Sequence, residues 1–395
     1  MLIESNAAID LILKSKLHLP QESVALNLAA GRYLAEDILA PIDHPLFDQS
    51  AVDGYAIRFS DLAQSDSLTL NSEVKAGDAG NQMVESGFCA RIFTGAPLPP
   101  GADTVVMQEF TTVNGSQIQF QDKKLKPGGN VRRQAEQIAT GSLALKKGDS
   151  LNPAAIGFLA SLGIQKVAVI SKPKVGIIVT GNEFAENADD LKKGKIYESN
   201  GQMLQAAFAK LGITVQYETC LDDLESLKAL VAKRSQENDI IILTGGVSVG
   251  DYDFSRPALE ANAFEIVFHK VNQKPGKPLL FAQQNTKLAF GLPGNPRAVM
   301  VSFYIYILPL LNQLMGGQAQ GLRKMLVPIT HDFKRNADGK THFVTGKITE
   351  NGLNLLAKQQ SHMLQSLAVA DVIVVLPPSP QEYASGDLLE VRWLD

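Results

Sequence analysis

The stretch VGIIVTGNE, residues 175–183, decides how the rest of the chain is read. Val175, Ile177, Ile178 and Val179 are β-branched and do not alternate with polar residues, and Thr180 to Glu183 then turns polar at once. Such a run is a strand buried on both faces that delivers a polar loop. The residues around it repeat the arrangement. NGQMLQAAFAKLGI (200–213) has helical spacing, with Asn200 placed to cap it, and ITVQYETCLDD (213–223) is a strand ending in acids. LESLKALVAKRSQE (224–237) is helical, DIIILTGG (239–246) is a second apolar strand, and GLPGNP (291–296) introduces a long helix after Pro296. Helices alternating with continuously apolar strands imply a doubly wound, parallel-type sheet covered on both faces. This gives an α/β domain over 172–323.

On either side the texture changes. Residues 1–42 read as helical, from Ile9, Ile12, Leu13 and Leu17 and a second run around Val24, Leu26 and Leu28. NPAAIGFLASLGI (152–164) returns to that spacing, so 1–42 and 143–171 form a discontinuous helical domain. Between them, 43–142 is a β-rich insertion, with short runs such as SLTL, ARIF and DTVVMQEF separated by the turns PLPPGAD, VNGSQ and KPGGN. From 324 to 395 the pattern is strand-like throughout, as expected of a small β-barrel or sandwich. At 395 residues, several domains are the prior expectation.

Composition limits the function classes. Hydrophobic residues are 45%, charged residues 20% and the net charge is −4, which does not suit a generally basic nucleic-acid surface. Cys89 and Cys220 stand far apart in no CxxC pattern, so neither a disulfide framework nor a thiolate metal site is indicated. The N-terminal MLIESNAAIDLILKSK lacks a basic start and an apolar core, and the most apolar stretch, AVMVSFYIYILPLL (298–311), is interrupted by Ser302 and Pro309. It reads as a buried helix. A reducing, cytoplasmic setting with no membrane and no nucleic-acid partner is expected.

In open α/β sheets the loops leaving the carboxyl ends of the strands form the ligand crevice. Three such loops carry acids: TGNE with Glu183, CLDD with Asp222, and TGGVSVGDYD with Asp253. The third also carries Gly245, Gly246 and Gly250, which allow close backbone approach to an anion, and Ser248, which offers a hydroxyl. KVNQKPGKP (270–278) places Lys270, Lys274 and Lys277 in a turn stiffened by Pro275 and Gly276, point charges suited to oxyanions. Asn295 and Pro296 form the cap and first turn of the following helix. Within PLFDQSAVDGYAIR (45–58), Asp48, Ser50, Asp53 and Gly54 form a loop entering a strand, with Gly54 allowing the chain to turn. Two carboxylates about 5 Å apart repel by roughly 3 kcal/mol at an effective dielectric near 20, so convergent acids call for protonation, lysines or a divalent cation. Mg²⁺ suits oxygen ligands beside a phosphate.

A competing motif is GVSVG (246–250), which satisfies the GxSxG nucleophile elbow. It is set aside because TGG separates its serine from the strand end and no acid–histidine pair stands out. The six histidines have no HxxxH spacing, so a zinc site is not indicated.

PLFDQSAVDGYA, RIFTGAPLPPGADTVVMQE, GKIYESN, TGGVSVGDYD, KPGKP and GLPGNP occur in the same order as in the molybdopterin molybdenumtransferases of the MoeA type. Nearly the whole chain resembles that family, and it is similar also to the C-terminal domain of gephyrin. The resemblance implies a four-part subunit with a molybdopterin-binding α/β fold. It also implies an elongated homodimer and an active site between one subunit's α/β domain and its partner. The implied reaction inserts molybdate into the dithiolene of adenylylated molybdopterin and releases AMP, with Mg²⁺ assisting. The resemblance assigns catalytic roles to Asp53, Thr94, Asp222, Asp253, Lys270 and Lys274, and metal binding to Glu183 and Asp253. Substrate binding falls to Gly245, Gly246, Ser248, Gly250, Lys277, Pro293, Pro296, Arg132 and Ser361. A molybdopterin adenylyltransferase and molybdoenzyme maturation proteins are the implied partners.

Two positions depart from the family pattern. Gln137, in NVRRQAEQI, stands where an acid is usual and cannot ionise, and Glu136 is its acidic neighbour. Asn182 stands where Asp is frequent. A scaffold that keeps the cleft without turnover, and a paralogue inserting tungstate, remain alternatives on sequence alone.

Overall fold

The computed structural model describes residues 2–247, 253–335 and 337–394. It divides into two compact units, one comprising Met1–Ser23, Gly31–Ala35 and Ala168–Asp395, the other Val24–Ala30 and Glu36–Val167.

The larger unit is built on a six-stranded sheet. Its elements, in chain order, are α1 (Ser5–Leu13), β1 (Val175–Thr180), α2 (Asn200–Lys210), β2 (Val215–Cys220), α3 (Leu224–Glu237), β3 (Ile240–Thr244), α4 (Ser255–Ala261), β4 (Glu265–Phe268), β5 (Leu280–Gln284), β6 (Lys287–Leu292) and α5 (Pro296–Leu314). The strand order is β2-β1-β3-β6-β5-β4. The first four strands are parallel, β5 runs antiparallel to β6, and the edge strand β4, antiparallel to β5, points the same way as the first four. β5 and β6 form a hairpin that turns at Asn285, which takes the left-handed conformation with φ 52°. The unbroken apolar runs follow from burial on two faces. Ile177 and Val179 pack with Ala8, Ile12, Leu204, Phe208 and Phe303 on the α1, α2 and α5 side. Ile178 packs with Leu227, Val231, Ala258 and Leu259 on the α3 and α4 side. Each fully buried Val, Leu, Ile or Phe among them contributes about 1.5–3 kcal/mol.

α5 begins with Pro296 and holds a second proline, Pro309, in its interior. Pro309 has no N–H to donate and its ring crowds the preceding turn, and the helix widens into a π segment at Phe303–Ile307 just before it. α5 is the one helix among the described residues that is long and apolar enough to cross a membrane, yet 78% of its apolar window is buried inside the protein. It is the buried core helix expected there.

The C-terminal part of this unit is a sheet of Gln273–Lys274, Thr341–Thr349, Val372–Leu376, Leu388–Trp393 and Lys324–Pro328, in that order, with Gly352–Leu355 paired to Thr341–Thr349. Val344, Leu353, Val374 and Val391 form its apolar layer. The only helix there among the described residues is the short Gln365–Ala368.

The smaller unit carries the β-rich insertion as a six-stranded sheet. Its order is Thr104–Met107, Gly54–Ile57, Phe88–Ile92, Ser67–Val74, Gln117–Phe120, Thr111–Asn114. Alternation splits the side chains into two layers, Tyr55, Ile57, Cys89 and Val106 on one face and Ala56, Ala90, Ile92 and Val105 on the other. Burial pushes the Cys89 thiol up to about 12, so it is a packing residue rather than a nucleophile.

One local reading changes. Gln21–Ala25 is a strand and Leu26–Leu28 a single 3₁₀ turn, so the helical segment expected around Val24 to Leu28 is absent. α1 buries Ala8 and Ile12 in the α/β core, while the helix Pro153–Ser161, capped by Asn152 accepting from the Ala155 N–H at 2.8 Å, lies in the smaller unit.

Candidate active site

β1, β3 and β6 end side by side, and a cleft of about 490 Å³ opens at their carboxyl ends. Thr180 closes β1, Thr244 closes β3, and β6 leads into Pro293, Gly294 and Asn295. Glycine is required at the floor. Gly245 has φ +93°, and a Cβ there would lie 2.4 Å from the Thr180 carbonyl oxygen, so only glycine lets the loop after β3 approach the end of β1. Gly246 follows with φ 57°. Hollows of about 580 and 600 Å³ lie against Lys324, Tyr383 and Arg392 and against Leu62, Phe120 and Leu125, but neither lies at the carboxyl ends of the parallel strands and neither is lined by a glycine. Position at the strand ends decides in favour of the 490 Å³ cleft.

Of the residues singled out from the sequence, Glu183, Gly245 and Pro296 line this cleft. Glu183 is exposed, with no ion pair among the described residues. Ser361 reaches its rim, where its hydroxyl accepts from Asn295 Nδ2 at 3.0 Å, and the adjacent His362 lines the wall. Asn295 thus occupies the N-cap position of α5 but makes no capping bond with its side chain, because Ser361 takes it. Asn200 likewise lies inside the first turn of α2 rather than capping it. Its Nδ2 donates to Thr244 Oγ1 at 3.0 Å and to the Gly294 carbonyl at 2.8 Å, joining α2 to the ends of β3 and β6.

The acids after β2 divide their work. Asp223 caps α3 by accepting from the Ser226 N–H at 2.8 Å, and Asp222 donates its own N–H to Asn182 Oδ1 at 3.1 Å. Asn182 therefore ties the loops after β1 and β2 together with an acceptor oxygen that aspartate would also offer. Asp253 is largely buried. Burial raises its carboxyl above the ordinary value, with His269, Arg256 and Lys270 pulling it partly back. Its Oδ1 has no partner among the described residues, and its Oδ2 lies 3.6 Å from His269 Nε2. That is too long for a hydrogen bond, and His269 Nε2 instead faces the Val247 carbonyl at 3.3 Å, so this nitrogen carries the proton. An acid–histidine pair thus exists where the sequence showed none. Ser248 and Gly250 lie outside the described residues.

The lysine turn is held from below. Gln273, 1% exposed, donates to the carbonyls of Pro275 at 3.2 Å and Gly276 at 3.0 Å and accepts from the Tyr306 hydroxyl, which is 2.8 Å from Ser5 Oγ. Its strands pair in two directions, Lys270–Val271 with Leu2–Ile3 and Gln273–Lys274 with Thr341–His342. The lysines diverge accordingly. Lys270 faces Asp253, whereas Lys274 faces His342, which burial lowers despite its bonds to Asp338 at 2.9 and 3.0 Å. Lys274 and Lys277 are exposed.

Asp53, Thr94 and Arg132 belong to the smaller unit. Asp53 Oδ1 accepts from both the Thr94 N–H and the Thr94 hydroxyl, each at 2.8 Å, and these two bonds, the backbone one foremost, hold the carboxyl below the usual range. Arg91 lies behind, 4.6 Å from the Phe93 ring centroid, and donates to the Gly54 carbonyl at 2.7 Å. Arg132 is exposed on a short strand paired with Gln49. Asp48 accepts from Arg133 Nη1 at 2.6 Å and the Gln134 N–H at 2.8 Å, which orders the loop. Glu136 accepts from the Arg133 N–H at 2.9 Å, and Gln137 donates its N–H to the His44 carbonyl at 3.0 Å. Gly54 does not turn the chain. It is a strand residue whose added Cβ would lie 1.8 Å from the Val106 carbonyl oxygen, so the sheet requires a residue without one.

Several contributors escaped the sequence reading: Thr180, Glu198, Asn200 and His362 in the cleft, and Arg297 beneath it. Arg297 is 1% exposed and donates to the Gln359 carbonyl, to Gln359 Oε1 and to the Phe343 carbonyl, while burial lowers its guanidinium to about 10. An arginine at the second position of an otherwise apolar helix was the available signal.

The oxygen-rich donor set fits Mg²⁺. Among the described residues no three His, Cys, Asp or Glu side chains gather into a protein-only cage. Mg²⁺ needs only one or two carboxylates beside substrate phosphates, and Asp253 Oδ1 is a buried oxygen without a partner among those residues.

Known proteins match this chain from end to end. Residues 3–163 match the model of the MoeA N-terminal region (domain I and II), 176–313 that of a probable molybdopterin binding domain, and 328–394 that of the MoeA C-terminal region (domain IV). A molybdopterin molybdenumtransferase of Staphylococcus epidermidis is 34% identical over 98% of this chain and 95% of its own length. One from Staphylococcus aureus is 35% identical, with 97% and 94% covered. The crystal structure of a molybdopterin biosynthesis MoeA protein from Pyrococcus horikoshii OT3 superposes with a TM-score of 0.86 at 30% identity, covering all of both chains.

Proposed function

This chain belongs to the MoeA family of molybdopterin molybdenumtransferases, enzymes of molybdenum cofactor biosynthesis, and from that premise we propose that it inserts molybdate into adenylylated molybdopterin with release of AMP. The observation that carries this reading is the strand-end cleft, which Glu183, Gly245 and Pro296 line together.

In the proposed reaction water or a molybdate oxygen attacks the phosphoanhydride joining AMP to the pterin phosphate and AMP leaves, and molybdate bonds the two dithiolene sulfurs while one of its oxygens departs with the two thiol protons as water. Lys270, Lys274 and Lys277 hold phosphate and molybdate oxygens as point charges, and Gly245, Gly246, Ser248 and Gly250 let backbone N–H groups approach the same anions. Pro293 and Pro296 shape the facing wall. Arg132 and Ser361 contribute to substrate binding, and Asp222 stands with the strand-end acids. Glu183 and Asp253 would hold Mg²⁺, which supplies charge neutralisation at the phosphates. Asp53, kept ionised by Thr94, orients the attacking water or molybdate oxygen.

The working assembly is a homodimer in which the insertion domain of one copy serves the α/β cleft of the other. The subunit is read as four parts: 1–42 with 143–171, 43–142, 172–323 and 324–395. A cytoplasmic location, and exchange with a molybdopterin adenylyltransferase and with molybdoenzyme maturation proteins, complete the reading.

The test adds molybdate to purified protein loaded with adenylylated molybdopterin and measures AMP release and cofactor activity, with tungstate titrated alongside. Release of AMP coupled to active cofactor is the expected result. Binding of substrate without AMP release would instead make the chain a scaffold, the reading that Gln137 permits because it cannot ionise, whereas its neighbour Glu136, which uses one carboxylate oxygen to accept from the Arg133 N–H, is the acid that could substitute.

A further inference from the structure

The turn that carries Lys274 and Lys277 is gripped by the first residues of the chain, 268 positions away. Leu2–Ile3 pair in parallel with Lys270–Val271, and the Ile3 carbonyl accepts from the Asn272 N–H at 2.7 Å. Glu4 adds a side-chain grip. Its Oε1 accepts from Asn272 Nδ2 at 2.9 Å, and the Gly339 carbonyl accepts from the same nitrogen at 2.9 Å. The Asn272 carbonyl in turn accepts from the Thr341 N–H at 3.1 Å. Both backbone groups of Asn272 and its amide nitrogen are therefore occupied.

A second connection runs through the interior, and its direction is fixed. Gln273 Nε2 donates to the Pro275 and Gly276 carbonyls, so the side-chain oxygen is the atom that faces Tyr306. That oxygen can only accept. The Tyr306 hydroxyl spends its single proton on Gln273, so the 2.8 Å bond between Ser5 and Tyr306 is donated by the serine. The order is Ser5 to Tyr306 to Gln273 to the two carbonyls of the turn. Ser5, Tyr306 and Gln273 are 6%, 1% and 1% exposed, and hydrogen bonds chained in one direction at such depth strengthen one another.

Two features separate this arrangement from ordinary packing. Glu4 holds the N-cap position of α1 yet makes no capping bond, and its carboxylate goes to Asn272 instead. In the turn itself Pro275 and Gly276 are buried, whereas Lys274 and Lys277 are exposed and have no ion pair among the described residues. The backbone is fixed and the charges are left free. Holding an anion with a long side chain costs conformational freedom, and a mobile backbone would add to that cost.

We infer that Glu4, Ser5, Tyr306 and Gln273 are positioning residues, through which the N-terminal segment straps the lysine turn in place for oxyanion binding. The inference rests on the proposed role of Lys274 and Lys277 in holding phosphate and molybdate oxygens, and it adds the residues that make that binding tight. They act through the turn and not on the anion.

The experiment is calorimetric titration of the full chain with molybdate and with inorganic phosphate at constant ionic strength. Wild type should bind at least one of them, and the double variant Lys274→Ala, Lys277→Ala should bind neither, which places the anion at the turn. Glu4→Ala is the discriminating change. Removing a negative charge beside the turn would tighten an anion by Coulomb attraction alone, whereas loosening Asn272 should weaken it about twofold to fivefold. Glu4→Gln removes the same charge but keeps an acceptor for Asn272, so it should bind as tightly as wild type or slightly more tightly. Tyr306→Phe and Ser5→Ala break the buried relay and should weaken binding about threefold to tenfold, with Ser5→Thr restoring it. A role confined to stability would lower the melting temperature and leave these affinities alone.

The inference is overturned if wild type binds neither anion, if the double lysine variant binds as wild type does, or if Glu4→Ala or Ser5→Ala binds at least as tightly as wild type. If Tyr306→Phe fails to fold, the Glu4 and Ser5 variants still decide. AMP release from adenylylated molybdopterin on adding molybdate is measured on the same preparations. Insertion by wild type without any effect of the strap on anion affinity defeats the inference alone, whereas a strap effect without insertion defeats the functional reading alone.

Discussion

In the insertion unit Asp53 is exposed and accepts two hydrogen bonds from Thr94 through one oxygen, whereas in the α/β unit Asp253 is largely buried with one oxygen unpartnered among the described residues. The first carboxyl is held below the usual range by donors, and the second is pushed above it by burial. One residue type therefore serves two electrostatic ends. Asp53 keeps its charge to lower pH than an ordinary aspartate, and both of its bonds to Thr94 fall on one oxygen, Oδ1. Burial disfavours the anion of Asp253, and in the proposed reading Mg²⁺ or Lys270 would offset that cost.

The sharpest way to break this contrast is Asp53→Asn. It preserves shape at an exposed position and removes only charge, so AMP release should fall about 10²–10⁴-fold with the melting temperature unchanged. Gly54→Ala sits one residue away and should act in the opposite manner. Its Cβ would meet the Val106 backbone oxygen at 1.8 Å, so denaturant unfolding should show a loss of about 3 kcal/mol or more.

Asp253→Asn should lower AMP release roughly tenfold and raise the Mg²⁺ concentration needed for half-maximal rate. Its effect on stability has a defined sign. Because the folded carboxyl titrates above the ordinary aspartate value of 3.8, the folded state binds the proton more tightly than the unfolded one, and stability falls as pH rises through that window. Melting scans should find Asp253→Asn at or above wild type at neutral pH, with the difference vanishing below about pH 3.5. A gain that persisted in acid would remove burial of charge as the cause.

Thr94→Val is the mildest change. It deletes the hydroxyl donor but keeps the backbone N–H, so Asp53 should titrate closer to the ordinary range. The acid limb of the rate profile should move to higher pH, with a loss of about threefold to tenfold at neutral pH.

The same contrast shows what was legible beforehand. The α/β sheet could be read because Ile177 and Ile178 face opposite apolar layers, and a strand covered twice leaves an unbroken apolar run. Val24, Leu26 and Leu28 were misread as helical although their spacing of two is the strand period, and the segment to Ala25 is a strand. That β5 opposes the other strands of the sheet was not visible, since pairing direction leaves no mark in a hairpin's composition. At the site, Glu183, Gly245 and Pro296 were found because loops at strand ends have a known use. Asn200 and Asn295 were taken for caps by a local rule, and partners distant in sequence, Thr244, Gly294 and Ser361, claimed their side chains. Gly54 was assigned to a turn when a close backbone approach from Val106 explains it. Buried atoms without a partner among the described residues, such as Glu198 Oε2, have no sequence signature, because their surroundings come from elements distant in sequence.

That acids from the insertion domain and from the strand ends act on one substrate, shared between two copies, is tested most directly by mixing chains. Asp53→Asn and Glu183→Gln proteins are each assayed alone for AMP release, then unfolded together, reassociated and assayed again. Each variant alone should be inactive, and the mixture should regain about a quarter of wild-type activity, since half of randomly formed dimers are mixed and each mixed dimer holds one intact site. A mixture as inactive as its components would contradict the shared site.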